Sequence, residues 1–255
     1  MYALRLQNLK KSYYSKVVLN GIDLEIEPGQ IIGYIGPNGA GKSTTLRILG
    51  GLDFAFEGQV EVLGINVKDD PIAVKRRIGF LPEQAALYEQ LTPLEFYELV
   101  GGLHDLPWQK VESRARQLET YLQLSYNRMQ RIETFSKGMR QKVLLTSTLL
   151  HDPDLILLDE PLDGLDANSV IRVKNLLAQL AESGKTIFYS SHIMDVVERI
   201  SNRIILLNGG KIVANGTFQE LQKEAKQGNL ESLFAQLTGG STENNIPRFQ
   251  LDLDE

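Results

Sequence analysis

Short runs of apolar and polar positions dominate the first sixty residues. Leu4 to Leu9, Ile22 to Ile26 and Gly58 to Val62 alternate in the manner of strands with one buried face, and turn residues such as Pro28-Gly29 separate them. They predict an antiparallel or mixed sheet. Ile31 to Ile35 is apolar on both faces, as a central parallel strand is, and it leads into a glycine-rich turn and a helix beginning near Lys42. Gly50-Gly51 stops that helix. Between about Thr92 and Leu150 the period becomes helical. Leu94 to Leu99 and Val111 to Leu124 carry charges such as Glu95, Glu98 and Glu112 on a solvated face. Alternation of strand and helix then resumes. Leu155 to Leu158 and Thr186 to Ser190 read as buried strands, with an amphipathic helix from Val170 to Ala181 between them. Arg203 to Leu207 and Lys211 to Ala214 flank Asn208-Gly209-Gly210 as a hairpin. Glu220 to Ala225 and Leu230 to Leu237 predict short helices, and STENNIPRFQLDLDE a loose polar tail.

This order predicts an α/β chain in one domain, residues 1–237. Its core takes residues 1–90 and 150–217 and begins with an antiparallel β subdomain. A helical subdomain of about 91–149 is inserted, helices follow at 218–237, and an acidic tail occupies 238–255. A chain of 255 residues is long enough for a large buried core. With 27 basic and 32 acidic residues the net charge is -5, so no basic field supports direct nucleic-acid binding. Cysteine is absent, which excludes disulfides and thiolate metal sites. No run approaches the ~18 consecutive apolar residues of a membrane helix. A soluble protein is expected, with any membrane role acting through a partner.

Two segments carry chemistry. Gly36-Pro37-Asn38-Gly39-Ala40-Gly41-Lys42-Ser43, followed by Thr44, fits the phosphate-binding pattern G-x-x-x-x-G-K-[ST]. Glycines let backbone N–H groups turn inward around a polyanion, and the following helix presents its positive end. Lys42 is suited to the terminal phosphates and the Ser43 hydroxyl to Mg²⁺. Leu155 to Leu158 runs into Asp159-Glu160, so a parallel strand would deliver two carboxylates to the sheet edge where ligands bind. Asp159 suits a partner of Mg²⁺, and Glu160 the polarising of an attacking water.

Together these segments resemble the ATP-binding cassette (ABC) ATPase family, whose two Walker motifs GPNGAGKST and LILLDEP match. The resemblance implies an α/β P-loop NTPase (RecA-like) core, with ATP and Mg²⁺ as ligands. Phe135-Ser136-Lys137-Gly138-Met139-Arg140-Gln141 stands where the family has its signature LSGGQ, with Lys137 replacing the first glycine and Met139 the glutamine. This form is similar to that of export-type ATPases. Leu162-Asp163-Gly164-Leu165-Asp166 resembles the D-loop, and Ser190-Ser191-His192 the switch histidine. Tyr13 resembles the aromatic that stacks on adenine, with Tyr14 beside it and Val18 against the same base. After Leu81-Pro82 the family has glutamine; here Glu83 holds that place and Gln84 follows, and either is the candidate for Mg²⁺ and water.

Taken singly, His192 reads as a structural histidine, Tyr13 as a packed aromatic and Ser136 as a helix cap. The family order reverses the first two and is compatible with the third. The resemblance further implies a second ATPase subunit packed head to tail. Ser136 and the Gly138 backbone would then face the partner's γ-phosphate. It also implies an integral membrane transporter subunit docked near Glu83 to Tyr88, and a peripheral location at the cytoplasmic face of the membrane. Leu230 to Thr238 is similar to the end of many export-type chains. Three other classes fit less well. Soluble ABC proteins of ribosomes or DNA usually have two cassettes or a long coiled coil, P-loop GTPases need N-K-x-D, and a catalytically silent module would not need Glu160 and His192.

Overall fold

A computed structural model of the chain describes residues 2–84, 87–124, 128–192, 194–224 and 234–236. Its strands are β1 Leu4–Tyr13, β2 Lys16–Ile26, β3 Ile31–Ile35, β4 Glu57–Val62, β5 Ile65–Asn66, β6 Ile78–Leu81, β7 Leu155–Asp159, β8 Thr186–Ser190, β9 Arg203–Asn208 and β10 Lys211–Gly216. The helices are α1 Lys42–Leu49, α2 Pro71–Arg77, α3 Pro93–Leu103, α4 Trp108–Tyr121, α5 Lys137–Leu149, α6 Ala167–Glu182, α7 Met194–Ile200 and α8 Phe218–Glu224.

Two sheets result. One is antiparallel in the order β2-β1-β4-β5; the other runs β10-β9-β3-β8-β7-β6 and is parallel from β9 to β6. Every residue of β3, β7 and β8 is buried, which explains why both faces of each strand are apolar apart from Asp159, Thr186 and Ser190 at the strand ends. Side chains alternate between two cores. Ile32, Tyr34, Leu155, Leu157 and Phe188 pack with α1 and the antiparallel sheet. Ile31, Ile35, Ile156, Leu158, Ile187 and Tyr189 pack with α5, α6 and α7. The period of two in a strand thus feeds both layers. A third cluster, including Phe96, Tyr97, Val111, Ala115, Phe135 and Val143, gives the helical insertion a core of its own.

The structure extends the sequence reading at several points. The strands expected at Leu4 to Leu9 and Ile22 to Ile26 are the buried ends of a long hairpin that continues, with Lys11 and Leu19 buried and most other positions exposed, to a turn at Tyr14, whose φ is 53°. β6, α2 and α7 were not expected. β6 is only 4 residues long and takes its register from β7, with Ile78 opposite Leu155 and Leu81 opposite Leu158. The helix expected from Val170 begins at Ala167, because the Asp166 carboxylate accepts the Ser169 N–H at 3.0 Å as its cap. Thr92 and Glu95 form a reciprocal capping box on α3. The helix expected at Glu220 to Ala225 is described as Phe218–Glu224. The tail, and all of Leu230 to Thr238 except residues 234–236, lie outside the described residues.

Candidate functional site

Parallel strands end on the same side, so the segments after β3, β6, β7 and β8 meet at one sheet edge. Asp159 lies opposite Ser190, and Leu158 opposite Leu81. A cavity of about 740 Å³ opens there. Tyr13, Tyr14, Ser15, Lys16 and Val18 of the hairpin line one part; Asn38, Gly39, Gly41, Lys42, Ser43 and Thr44 line another; Glu83, Asp159 and Glu160 complete it. Gly36, Pro37 and Ala40 build the loop behind this surface. The Ala40 N–H donates to Pro37 O at 3.1 Å, and the Lys42 ammonium donates to Gly36 O at 2.7 Å and Pro37 O at 3.4 Å. A bound anion would offer that ammonium a stronger, charged acceptor than these carbonyls.

Gly41 precedes α1 with φ of 113°, a conformation that side-chain-bearing residues rarely adopt. A Cβ there would also meet Leu19 Cδ2 at 2.6 Å. No side chain caps the N-terminus of α1, so its first N–H groups and dipole are left for a ligand.

At the opposite wall, Asp159 is 3% exposed and accepts a short hydrogen bond from the Ser190 hydroxyl. Glu160 comes next with φ of 50°, a strained left-handed turn for a residue of this size. Its N–H donates to Ser190 O at 3.2 Å and its Oε2 lies 2.8 Å from His192 Nδ1. The Glu160 side chain is mostly buried and the His192 ring mostly exposed. The strained turn and the imidazole together hold a carboxylate at the cavity edge. Such a group can accept a proton from water.

Of the two candidates after Pro82, Glu83 lines the cavity and Gln84 does not. Ser43, Asp159 and Glu83 bring hydroxyl and carboxylate oxygens into one cavity, the donor type that Mg²⁺ takes. Among the described residues there is no cluster of three or more acidic, histidine or cysteine side chains able to hold a metal. Few protein ligands are expected where phosphates supply the others.

Ser136 and Gly138 do not line this cavity. Ser136 caps α5, its Oγ accepting the Met139 N–H at 3.3 Å, and is exposed. The first turn of α5 is tied to the segment after Glu160. Lys137 Nζ pairs with Asp163 at 2.6 Å, Gln141 Nε2 donates to Pro161 O at 3.1 Å, and a Cβ on Gly138 would meet Gly164 O at 2.7 Å. Sequence reasoning missed Ser190 as the partner of Asp159, and Ser15 and Lys16 as cavity wall. The register of β7 against β8 determines the first, and the full length of the hairpin the others.

A second cavity, of about 290 Å³, lies between the helical insertion and the six-stranded sheet, lined by Leu52, Phe80, Phe96, Val100, His104 and His151 among others. The His104 and His151 rings stack at 3.8 Å. His151 Nε2 donates to Ile78 O at 2.8 Å. Burial, then the neighbouring His104 and Arg114, push the His151 pKa down from 6.5 to about 4, against the opposing Ile78 bond and Asp152. The folded state therefore holds this ring neutral where the unfolded chain protonates it. The associated stability is present above pH 6.5 and is lost as pH falls from 6.5 to about 4. His151→Gln is expected to remove on the order of 2 kcal/mol of that acid-side loss, after discount for partial exposure. Thermal melts of both proteins between these pH values measure it; parallel curves would refute it.

A family model described as ABC transporter matches residues 19–163. The linearmycin resistance ATP-binding protein LnrL of Bacillus subtilis is 35% identical over 218 residues, 86% of this chain and 70% of that protein. A solved structure of an ATP binding subunit of an ABC transporter superposes with a TM-score of 0.86 at 29% identity, covering 92% of this chain and 99% of that one. The dimeric post-hydrolysis state of the ATP-binding cassette MJ0796, bound to ADP and Pi, superposes with a TM-score of 0.77 at 28% identity, covering 84% and 98%.

Proposed function

The chain belongs to the ABC transporter family as an ATP-binding cassette with ATPase activity, and on that premise we propose that it is the energising subunit of a membrane exporter. The reading rests on one observation: the phosphate loop, the Asp159-Glu160 strand end and the Tyr13 side of the hairpin line a single cavity, while Ser136 and Gly138 lie outside it. The first group fits one ATP. The second lacks a phosphate of its own and fits the nucleotide of a second subunit, in keeping with the dimer of the similar cassette.

In this reading Tyr13 and Val18 hold the base, and the 36–44 loop holds the phosphates. Ser43, Asp159 and Glu83 would hold Mg²⁺, which supplies charge neutralisation on the phosphate oxygens when bound. Glu160 orients a water and accepts its proton as the water oxygen bonds to the γ-phosphorus and the bond to the bridging oxygen breaks. Little covalent work falls to the protein. His192 holds Glu160 in place and adds a donor toward the γ-phosphate. The connections from α5 to Pro161, Asp163 and Gly164 make the partner-facing turn and the catalytic strand end one mechanical unit.

The separate core of the helical insertion supports the division into a two-part core and a lobe, within one domain to about residue 237. Among the described residues no helix is long and apolar enough to cross a membrane. In this reading a membrane-spanning partner couples ATP turnover to transport, and the chain sits peripherally at the cytoplasmic face. The cavity lined by Phe80, Phe96 and Val100, between the core and the helical lobe, suits that partner; Ala85 and Ala86, within the Glu83 to Tyr88 stretch expected to dock it, lie outside the described residues. The resistance function named for LnrL supports export.

Ser136→Asp tests the dimer. Aspartate caps a helix as well as serine does, so α5 is kept, but a negative charge now opposes the partner's γ-phosphate. Light scattering is expected to find ATP-dependent dimers for a slow-hydrolysing chain with Ser136, and monomers that still bind ATP for Ser136→Asp. Equal dimerisation would exclude the head-to-tail arrangement. Co-purification of a polytopic membrane protein from detergent extracts tests the partner.

A further inference from the structure

Tyr13 ends β1 at the cavity mouth, and the groups that fix its ring lie behind the cavity wall. Lys11, two residues earlier in the strand, is only 4% exposed, a rare position for lysine. Its ammonium donates to Asp53 Oδ1 at 2.7 Å and to Ala55 O at 2.8 Å, and lies 4.5 Å from the centre of the Tyr13 ring. The Tyr13 hydroxyl donates to Asp53 Oδ2 at 2.8 Å, and the Ala55 N–H to Asp53 Oδ1 at 3.1 Å. Burial would raise the pKa of this carboxyl, but the hydrogen bonds from Lys11, Tyr13 and Ala55 outweigh it and hold it below the usual carboxylate range. Lys11, Asp53 and Tyr13 thus form a triangle, and the Tyr13 hydroxyl also meets the Thr44 side chain. Tyr13 lines the cavity and is 40% exposed, whereas Lys11 and Asp53 do not line it.

A buried ion pair is a poor device for stability alone, since apolar replacements often do as well. This one has a specific geometric result. The carboxylate is anchored through one oxygen and holds the tyrosine hydroxyl through the other, which fixes the far end of the ring, while the Lys11 ammonium 4.5 Å from the ring centre favours the ring plane that faces it. A cation against the inner face also draws electron density from the ring and favours stacking of an electron-rich purine on the outer face.

Resting on the nucleotide reading of the cavity, we propose that Lys11 and Asp53 are positioning residues for the base of the nucleotide, acting through Tyr13. Both act on the base and neither on the phosphates, which separates their role from general stability.

The test compares ATP with inorganic tripolyphosphate, which has the phosphates and no base. Both are titrated calorimetrically into the purified full chain and into Asp53→Asn and Tyr13→Phe. Each variant is expected to bind ATP roughly three- to tenfold more weakly, the range for one misaligned aromatic contact. Tripolyphosphate affinity is expected to stay within about twofold. The KM for ATP should rise with kcat unchanged, and the double variant should weaken ATP no further than either single one, because the two act as a unit. Equal losses for ATP and tripolyphosphate, or unchanged ATP affinity in both variants, overturn the proposal. Lys42→Ala separates it from its premise. If that variant keeps its affinity for both ligands, the nucleotide reading itself fails. If it loses both while Asp53→Asn and Tyr13→Phe bind ATP normally, only the positioning role fails.

Discussion

Glu160→Gln is expected to bind ATP with an affinity within about threefold of the parent and to turn it over roughly 10²- to 10⁴-fold more slowly, the range for removing a general base. The reason is geometric. Glutamine has the shape of glutamate and can keep the strained φ of 50°, which belongs to the backbone between Asp159 and Pro161. Its side-chain oxygen can still meet His192 Nδ1, 2.8 Å away in the parent. What it cannot do is accept a proton from water. In the proposed reading the phosphates are held at the other wall, by the 36–44 loop, which this substitution leaves untouched. Single-turnover hydrolysis and equilibrium titration separate the two effects. Turnover within about tenfold of the parent would remove Glu160 from the chemistry.

Lys42→Ala is expected to act in the opposite place, weakening ATP roughly 10- to 10³-fold through loss of charge-assisted bonds to the terminal phosphates. Alanine is a good helix former at the start of α1, and within the chain the lysine donates to loop carbonyls at Gly36 and Pro37. The melting temperature without nucleotide should therefore change by no more than a few degrees, while the upward shift produced by a fixed ATP concentration should shrink in step with the lost affinity. A preserved shift would mean that the polyanion is held elsewhere.

The legible part of the site is the part written as contiguous sequence. The loop from Gly36 to Thr44 has to supply inward N–H groups at short spacing, so its glycines and lysine cannot be spread out. Likewise the acids at 159 and 160 come directly after four buried aliphatics. The length of the β1–β2 hairpin was not legible. Its far half is largely exposed, and Lys10 to Lys16 lacks the alternation that marked its base. Nor was β6, whose 4 residues are a strand only because β7 pairs with them. The choice between Glu83 and Gln84 could not be read from composition, because both side chains offer an oxygen and which of the two faces the cavity is set by the backbone after β6.

Local chemistry thus determined, from the sequence alone, the α/β class, the helical insertion, the phosphate loop and the carboxylate pair, because each depends on residues within a few positions of one another. Tertiary structure decided which distant groups act on them: Ser190 on Asp159, His192 on Glu160, Asp163 on Lys137, and Asp53 between Lys11 and Tyr13. Those pairings span 26 to 42 residues. Strand order and register bring them together, and hydrophobic periodicity specifies which face of a strand is buried but not which strand lies beside it.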